Sequence, residues 1–251
     1  MPDDAAVVRD LAGALPFAGD GRGVRIAVID SGVHCGHPHI ERIAGGVAVA
    51  AGGVIETGEG AYIDRLGHGT AVTAAIQEKA PGASLFAVKV FHGALRTTSA
   101  VLLRAIDWCI EQEMDLVNLS LGSPNPAHEE AFAQAAAYAR EAGTLLVAAR
   151  EANGQICYPG GLSTVFSVGL DWDCPRHSYH HSRQGDATVF HASGYPRPAP
   201  GVPLVRNLHG ISFAVANMTG LIARALETEG GAPDAARFAR LSRALVRAGA
   251  G

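Results

Sequence analysis

The chain has 251 residues, 48% of them hydrophobic and 18% charged, which suits one well-buried domain over 1–251 and excludes a disordered or fibrous protein. A formal net charge of -4 with only 20 Lys and Arg gives no electrostatic footprint for nucleic acid. Asp3, Asp4 and Asp10 lie among alanines at the N-terminus, the reverse of a secretory leader. No apolar run approaches the roughly 20 residues of a membrane helix. No membrane partner and a cytoplasmic location are therefore expected, and the widely spaced Cys35, Cys109, Cys157 and Cys174 read as free thiols.

In chain order, strand-length apolar runs fall at 24–29, 84–90, 115–119, 144–149 and 165–168. Between them, Val101, Ala105, Ile106, Cys109 and Ile110 recur at helical spacing, and 131–142 is an alanine-rich helix closed by Gly143. Small apolar segments at 71–76 and 213–226 read as buried helices, and 234–247, after Pro233, as a packing helix with a solvated basic side. Strands alternating with helices predict an α/β fold with a mostly parallel sheet. Ligands of such sheets gather beyond the carboxyl ends of the strands.

Three polar residues sit at such ends. Asp30 closes the first apolar run, His68 lies in Gly67-His68-Gly69-Thr70 ahead of a helix, and Ser212 lies in Gly210-Ile211-Ser212-Phe213-Ala214 ahead of another. Singly, each has an ordinary structural reading as a turn residue, a packed histidine or a helix cap. Together they supply a nucleophile, a base to take its proton and a carboxylate to hold that base, in one of the chain orders known for this chemistry.

Val28-Ile29-Asp30-Ser31-Gly32-Val33, Gly67-His68-Gly69-Thr70 and Gly210-Ile211-Ser212-Phe213-Ala214, with the strand from Ala80 to Val90 and Asn118-Leu119-Ser120-Leu121-Gly122, resemble the subtilisin-like serine proteases of the subtilase family over about 24–226. The resemblance implies a three-layer sandwich with helices on both sheet faces. It implies a peptide or protein substrate and no cofactor, with Asp30 orienting, His68 as general base and then acid, and Ser212 as nucleophile. Substrate backbone would pair with Ser120, Leu121 and Gly122. Ala149, Arg150 and Cys157 would complete the pocket for the P1 side chain, the one preceding the scissile bond. The family's inhibitory prodomain is not expected in a leader of about 23 residues, which suggests an intracellular enzyme of restricted substrate range.

The pattern breaks after Val147-Ala148-Ala149. Arg150 stands where the family has glycine, and Glu151 where an asparagine donates to the oxyanion; an ionised carboxylate only accepts hydrogen bonds and repels developing negative charge. Three routes remain: Asn153 reaching the hole through a two-residue shift, Glu151 held protonated as a donor, or the Ser212 N–H acting alone. Arg150 is expected to narrow the pocket or bias it toward small or acidic P1 side chains. The rival reading is a catalytically impaired pseudoprotease that binds a peptide or a partner, and a third class is an esterase or peptide ligase using the same triad. His34, Cys35, His37 and His39, and likewise Cys174, His177, His180 and His181, are close enough to suggest soft metal ligands. They are read instead as loop residues, with Tyr179 to Gly185 as a turn before the serine motif and calcium left unassigned.

Overall fold

Strand β1 (Arg25–Asp30) is a run of Ile, Ala and Val ending in a carboxylate, buried from Ile26 onward, and the sheet is built outward from it. The computed structural model describes residues 15–58, 60–203 and 206–249. On one side β1 pairs in parallel with β4 (Ser84–Lys89), which pairs with β2 (Gly45–Val49), bordered by the antiparallel β3 (Ile55–Glu56). On the other side follow β5 (Leu116–Leu119), β6 (Leu145–Ala149), β9 (Phe166–Leu170) and β11 (Ala187–Ala192), all parallel, with β10 (His180–Gln184) antiparallel at the edge. A separate hairpin joins β7 (Glu151–Ala152) to β8 (Gln155–Ile156).

The period-two alternation of strand side chains divides the interior into two layers. Ile26 and Val28 of β1 pack with Val72 and Ile76 of helix α1 (His68–Lys79) and with α4 (Ile211–Glu229) and α5 (Arg237–Ala248). Ala27 and Ile29 pack instead with α2 (Ser99–Glu111) and α3 (Glu129–Glu141). The result is the three-layer α/β sandwich expected. Because β1 has β4 on one side and β5 on the other, its carboxyl end is the point from which connections diverge, the place where α/β sheets open a crevice.

All five expected strands form, each within two residues of the expected ends. The helices expected at 71–76 and 213–226 begin earlier, at His68 and Ile211, so His68 and Ser212 occupy first turns. Tyr179 to Gly185, read as a turn, is mostly the edge strand β10 and needs correcting: its polar His180, Ser182 and Gln184 suit a solvated edge, where no apolar run marks a strand. Strand β2 was missed because it opens on Gly45-Gly46, residues of low strand propensity. α1 and α4 lie side by side at close range: a Cβ on Gly220 would sit 2.5 Å from Lys79 Cβ, so glycine is needed at this crossing.

Candidate active site

Asp30 ends β1 where Val90 N–H donates to its backbone carbonyl at 2.8 Å, and its side chain is fully buried. Its Oδ1 accepts the Ser31 N–H at 2.7 Å and faces His68 Nδ1 at 2.7 Å. An ionised carboxylate only accepts, so Nδ1 carries the hydrogen and Nε2 is left as the basic nitrogen. The imidazole is 15% exposed and lies 5.9 Å, centroid to centroid, from the Phe213 ring. Burial by itself would lower the His68 pKa, but the hydrogen bond and charge of Asp30, with the charge of Asp64, outweigh it and raise the pKa above the usual 6.5.

The chain reaches this geometry through a second carboxylate. Asp64 Oδ1 accepts from Ser31 Oγ at 2.9 Å, Leu66 N at 2.8 Å and Gly67 N at 2.9 Å; its Oδ2 accepts from Thr70 N at 2.9 Å and Thr70 Oγ1 at 2.6 Å. Five donors thus tie the end of β1 to the first turn of α1, satisfying N–H groups that lack helical acceptors. Burial opposes ionisation of Asp64, yet the Thr70, Leu66 and Gly67 bonds win and hold its pKa below 3.8. Gly69 and Gly32 fit here because a Cβ on Gly69 would strike the Gly32 carbonyl. Asp64 was missed in the sequence, although an Asp four residues ahead of a helical histidine is a helix-start signal.

Ser212 is the second residue of α4, following Gly210. Its Oγ donates to the Ser120 carbonyl at 3.4 Å, while Ser120 Oγ donates to the Ser212 carbonyl at 3.3 Å. Asn118, within the predicted substrate-pairing segment, holds this crossing: its Nδ2 donates to Ser120 Oγ at 3.0 Å and its Oδ1 accepts from Thr219 Oγ1 at 2.9 Å. In this rotamer the Ser212 hydroxyl therefore faces Ser120, while its neighbour Phe213 carries the ring beside His68.

The predicted substrate-pocket residues are brought together. Ser123 and Tyr158 exchange backbone bonds of 2.9 and 2.8 Å, and a Cβ on Gly122 would lie 3.1 Å from Cys157 Cβ. Leu121 is partly exposed beside them, and Ala149 is buried at the end of β6. Burial pushes the Cys157 thiol pKa up, with the Glu151 charge adding to it. Arg150 N–H donates to Val168 O at 2.8 Å and its carbonyl accepts from Cys157 N at 2.8 Å, so its backbone starts the β7–β8 hairpin. Its Nη1 is buried without a hydrogen-bond partner among the described residues. Burial, then the charges of His180 and Arg150, lower the His191 pKa against the opposing charges of Asp171 and Glu151.

Glu151 is exposed on β7. Asn153 and Gly154, at φ 52° and 74°, form the two-residue tip of the hairpin. Left-handed values at both central residues are what an Asn-Gly hairpin turn requires. The identity of Asn153 is thus accounted for by the turn, a signal the sequence reading passed over.

The chain belongs to the subtilase family, whose sequence model matches residues 21–235. The family consists of serine peptidases acting on peptide or protein substrates, and this chain is of the subtilisin-like kind. It is 31% identical to Subtilisin BL of Lederbergia lenta over 213 residues, covering 80% of this chain and 72% of that protein. It is 30% identical to an alkaline protease of Shouchella clausii over 80% of this chain and 51% of that protein. The Minor extracellular protease Epr of Bacillus subtilis (strain 168) is 33% identical over 69% of this chain and 27% of its own length.

Asp64→Asn places an amide nitrogen against donors and is expected to cost about 1–3 kcal/mol at neutral pH. Because the folded pKa of Asp64 is depressed, its stabilisation is present above about 3.8, the unfolded value, and is lost as pH falls through the lower folded value. Denaturant midpoints should separate at pH 7 and converge in acid; a gap independent of pH would contradict this.

Proposed function

We propose that the protein is a serine endopeptidase that hydrolyses peptide bonds through an acyl-enzyme on Ser212. The observation that carries the reading is the 2.7 Å contact of His68 Nδ1 with buried Asp30, which leaves Nε2 basic beside the start of α4. The 3.4 Å bond from Ser212 Oγ to Ser120 is long and weak. The reading requires that rotation about χ1 to another staggered well turn the hydroxyl toward the imidazole.

His68 Nε2 takes the hydroxyl proton as Oγ attacks the scissile carbonyl, and Asp30 stabilises the resulting imidazolium without taking its proton. The imidazolium protonates the departing amine, and a water activated by the same base releases the acyl group. These steps call on no cofactor. The Ser212 N–H, in the first turn of α4, serves as an oxyanion donor in this reading, in the positive field of the helix terminus.

Two finer readings accompany this one. Four free cysteines fit a reducing compartment and hence a cytoplasmic enzyme of restricted substrate range; recovery of the native protein outside the cell would refute that. Among the described residues no helix is long and apolar enough to cross a membrane. Arg150 biases the P1 pocket toward small or acidic side chains, and a peptide library yielding large apolar P1 residues would remove the idea.

Glu151 favours a second reading, in which the fold binds a peptide or partner without turnover. A fluorophosphonate probe separates the two: stoichiometric labelling, lost in Ser212→Ala, supports the peptidase, and no labelling at any pH supports the binding module. If Glu151 weakens the oxyanion site, Glu151→Asn raises kcat by up to about a hundred- to a thousandfold, the magnitude known from removing such a donor in a subtilisin. A variant no faster than wild type would sink that explanation.

Only neutral His68 accepts the proton, so kcat/KM should rise with pH through the raised His68 pKa. Its midpoint is expected above 6.5 and should fall in Asp30→Asn. A wild-type midpoint at or below 6.5 would refute this account of the base.

A further inference from the structure

A cavity of about 830 Å3 is walled by Gly67, which precedes His68, by Thr70 and Ala71 of the first turn of α1, and by Leu208, four residues ahead of Ser212. It shares no lining residue with the separate cavity that runs along Leu121, Gly122 and Ser123. With the acyl half of a peptide taken to lie along 120–122, this separate cavity next to the His68 motif is assigned to the leaving half. The inference therefore rests on the peptidase reading.

The polar lining is basic. Arg65, Arg197, His34, His37 and His39 line it, against one carboxylate, Asp64. Both Asp64 oxygens are already occupied by the five donors described above, so that carboxylate is committed to the fold rather than to pairing these cations. Arg197 is oriented, since Nη1 donates to the His39 carbonyl at 3.2 Å. His37 is oriented as well: its Nδ1 accepts the His39 N–H at 3.1 Å, which places the hydrogen of the neutral ring on Nε2. The two rings meet edge-on at 5.1 Å. Burial, then the positive charge of Arg197, lower the His39 pKa despite the charge of Glu78. Arg65 and Arg197 are the permanent cations of the lining, and a carboxylate entering the cavity could accept from an arginine fork while the histidines supply further ring N–H donors.

We propose that this cavity binds a carboxylate on the leaving-group side of the substrate, carried either by an Asp or Glu side chain or by the C-terminus of the peptide. The protein then selects acidic or C-terminal leaving segments, a narrowing of substrate set on the far side of the scissile bond from the Arg150 pocket.

Fluorogenic peptides sharing one acyl half test this, with leaving halves carrying Asp or Glu, their Asn or Gln counterparts, and a free or amidated C-terminus. The side-chain and terminus series distinguish the two sources of carboxylate. In at least one series the carboxylate should raise kcat/KM about tenfold over the matching amide, and added salt should shrink the ratio. The double substitution Arg65→Gln and Arg197→Gln should bring the ratio close to one. A wild-type ratio of one in both series, or a ratio that the double variant leaves intact, overturns the proposal. Fluorescence anisotropy of labelled leaving-half peptides on Ser212→Ala asks the same question without turnover: tighter binding of the carboxylate form supports the site, and equal affinities overturn it. Failure of the peptidase reading would show separately, as absence of fluorophosphonate labelling.

Discussion

A fully buried carboxylate at the end of the central strand is the constraint on which the rest depends. Removing Asp30 from water costs several kcal/mol unless its charge is met by well-placed partners. The Ser31 N–H and the His68 ring provide them through one oxygen, while Oδ2 has no partner among the described residues. A group so placed is held by the surrounding fold and not by its own preference. It raises the basicity of the imidazole against the opposing effect of burial and fixes which ring nitrogen faces outward, and both follow from the hydrogen bond to a negative charge.

Around that pair, polar side chains act as struts between layers. Asp64 binds the loop after β1 to the first turn of α1, and Asn118 with Thr219 and Ser120 binds the end of β5 to the first turns of α4. Each strut satisfies groups that close helix packing has removed from water, so none can be lost without leaving another unpaired. Gly220 allows the same packing from the apolar side by letting α4 approach Lys79. Two helix starts are thereby held next to one sheet edge with little freedom.

Charged residues gather at the walls of the candidate site, away from the Asp30–His68 pair. After Ala149 the backbone turns through Arg150 into a short exposed hairpin, placing a cation and a carboxylate at the end of β6. On the opposite side, histidines and arginines line the cavity beside α1. The proposed chemistry is that of the family, whereas the selection of substrate would come from these charged residues, because charge close to a cleft changes what enters without changing what reacts.

Much of this was legible in the linear sequence. Five parallel strands and the helices between them follow from apolar runs and spacing, since a buried strand or an amphipathic helix must show its pattern locally. Asp30, His68 and Ser212 stand out by their positions at element ends and by motifs resembling the subtilases. The edge strand β10 and the glycine-led β2 were hidden because neither carries an apolar run. Asp64, Thr70 and Thr219 looked like ordinary polar residues, and Asn118 like part of a strand motif, since their importance lies in partners far away along the chain. The turn role of Asn153 was also legible, in its Asn-Gly pair; only the tertiary structure decided that the Ser212 hydroxyl faces Ser120 and that basic residues from three separate segments share one cavity. Local sequence encodes periodicity and turn chemistry; which distant groups come to share a charge, a hydrogen bond or a cavity is fixed when the layers pack.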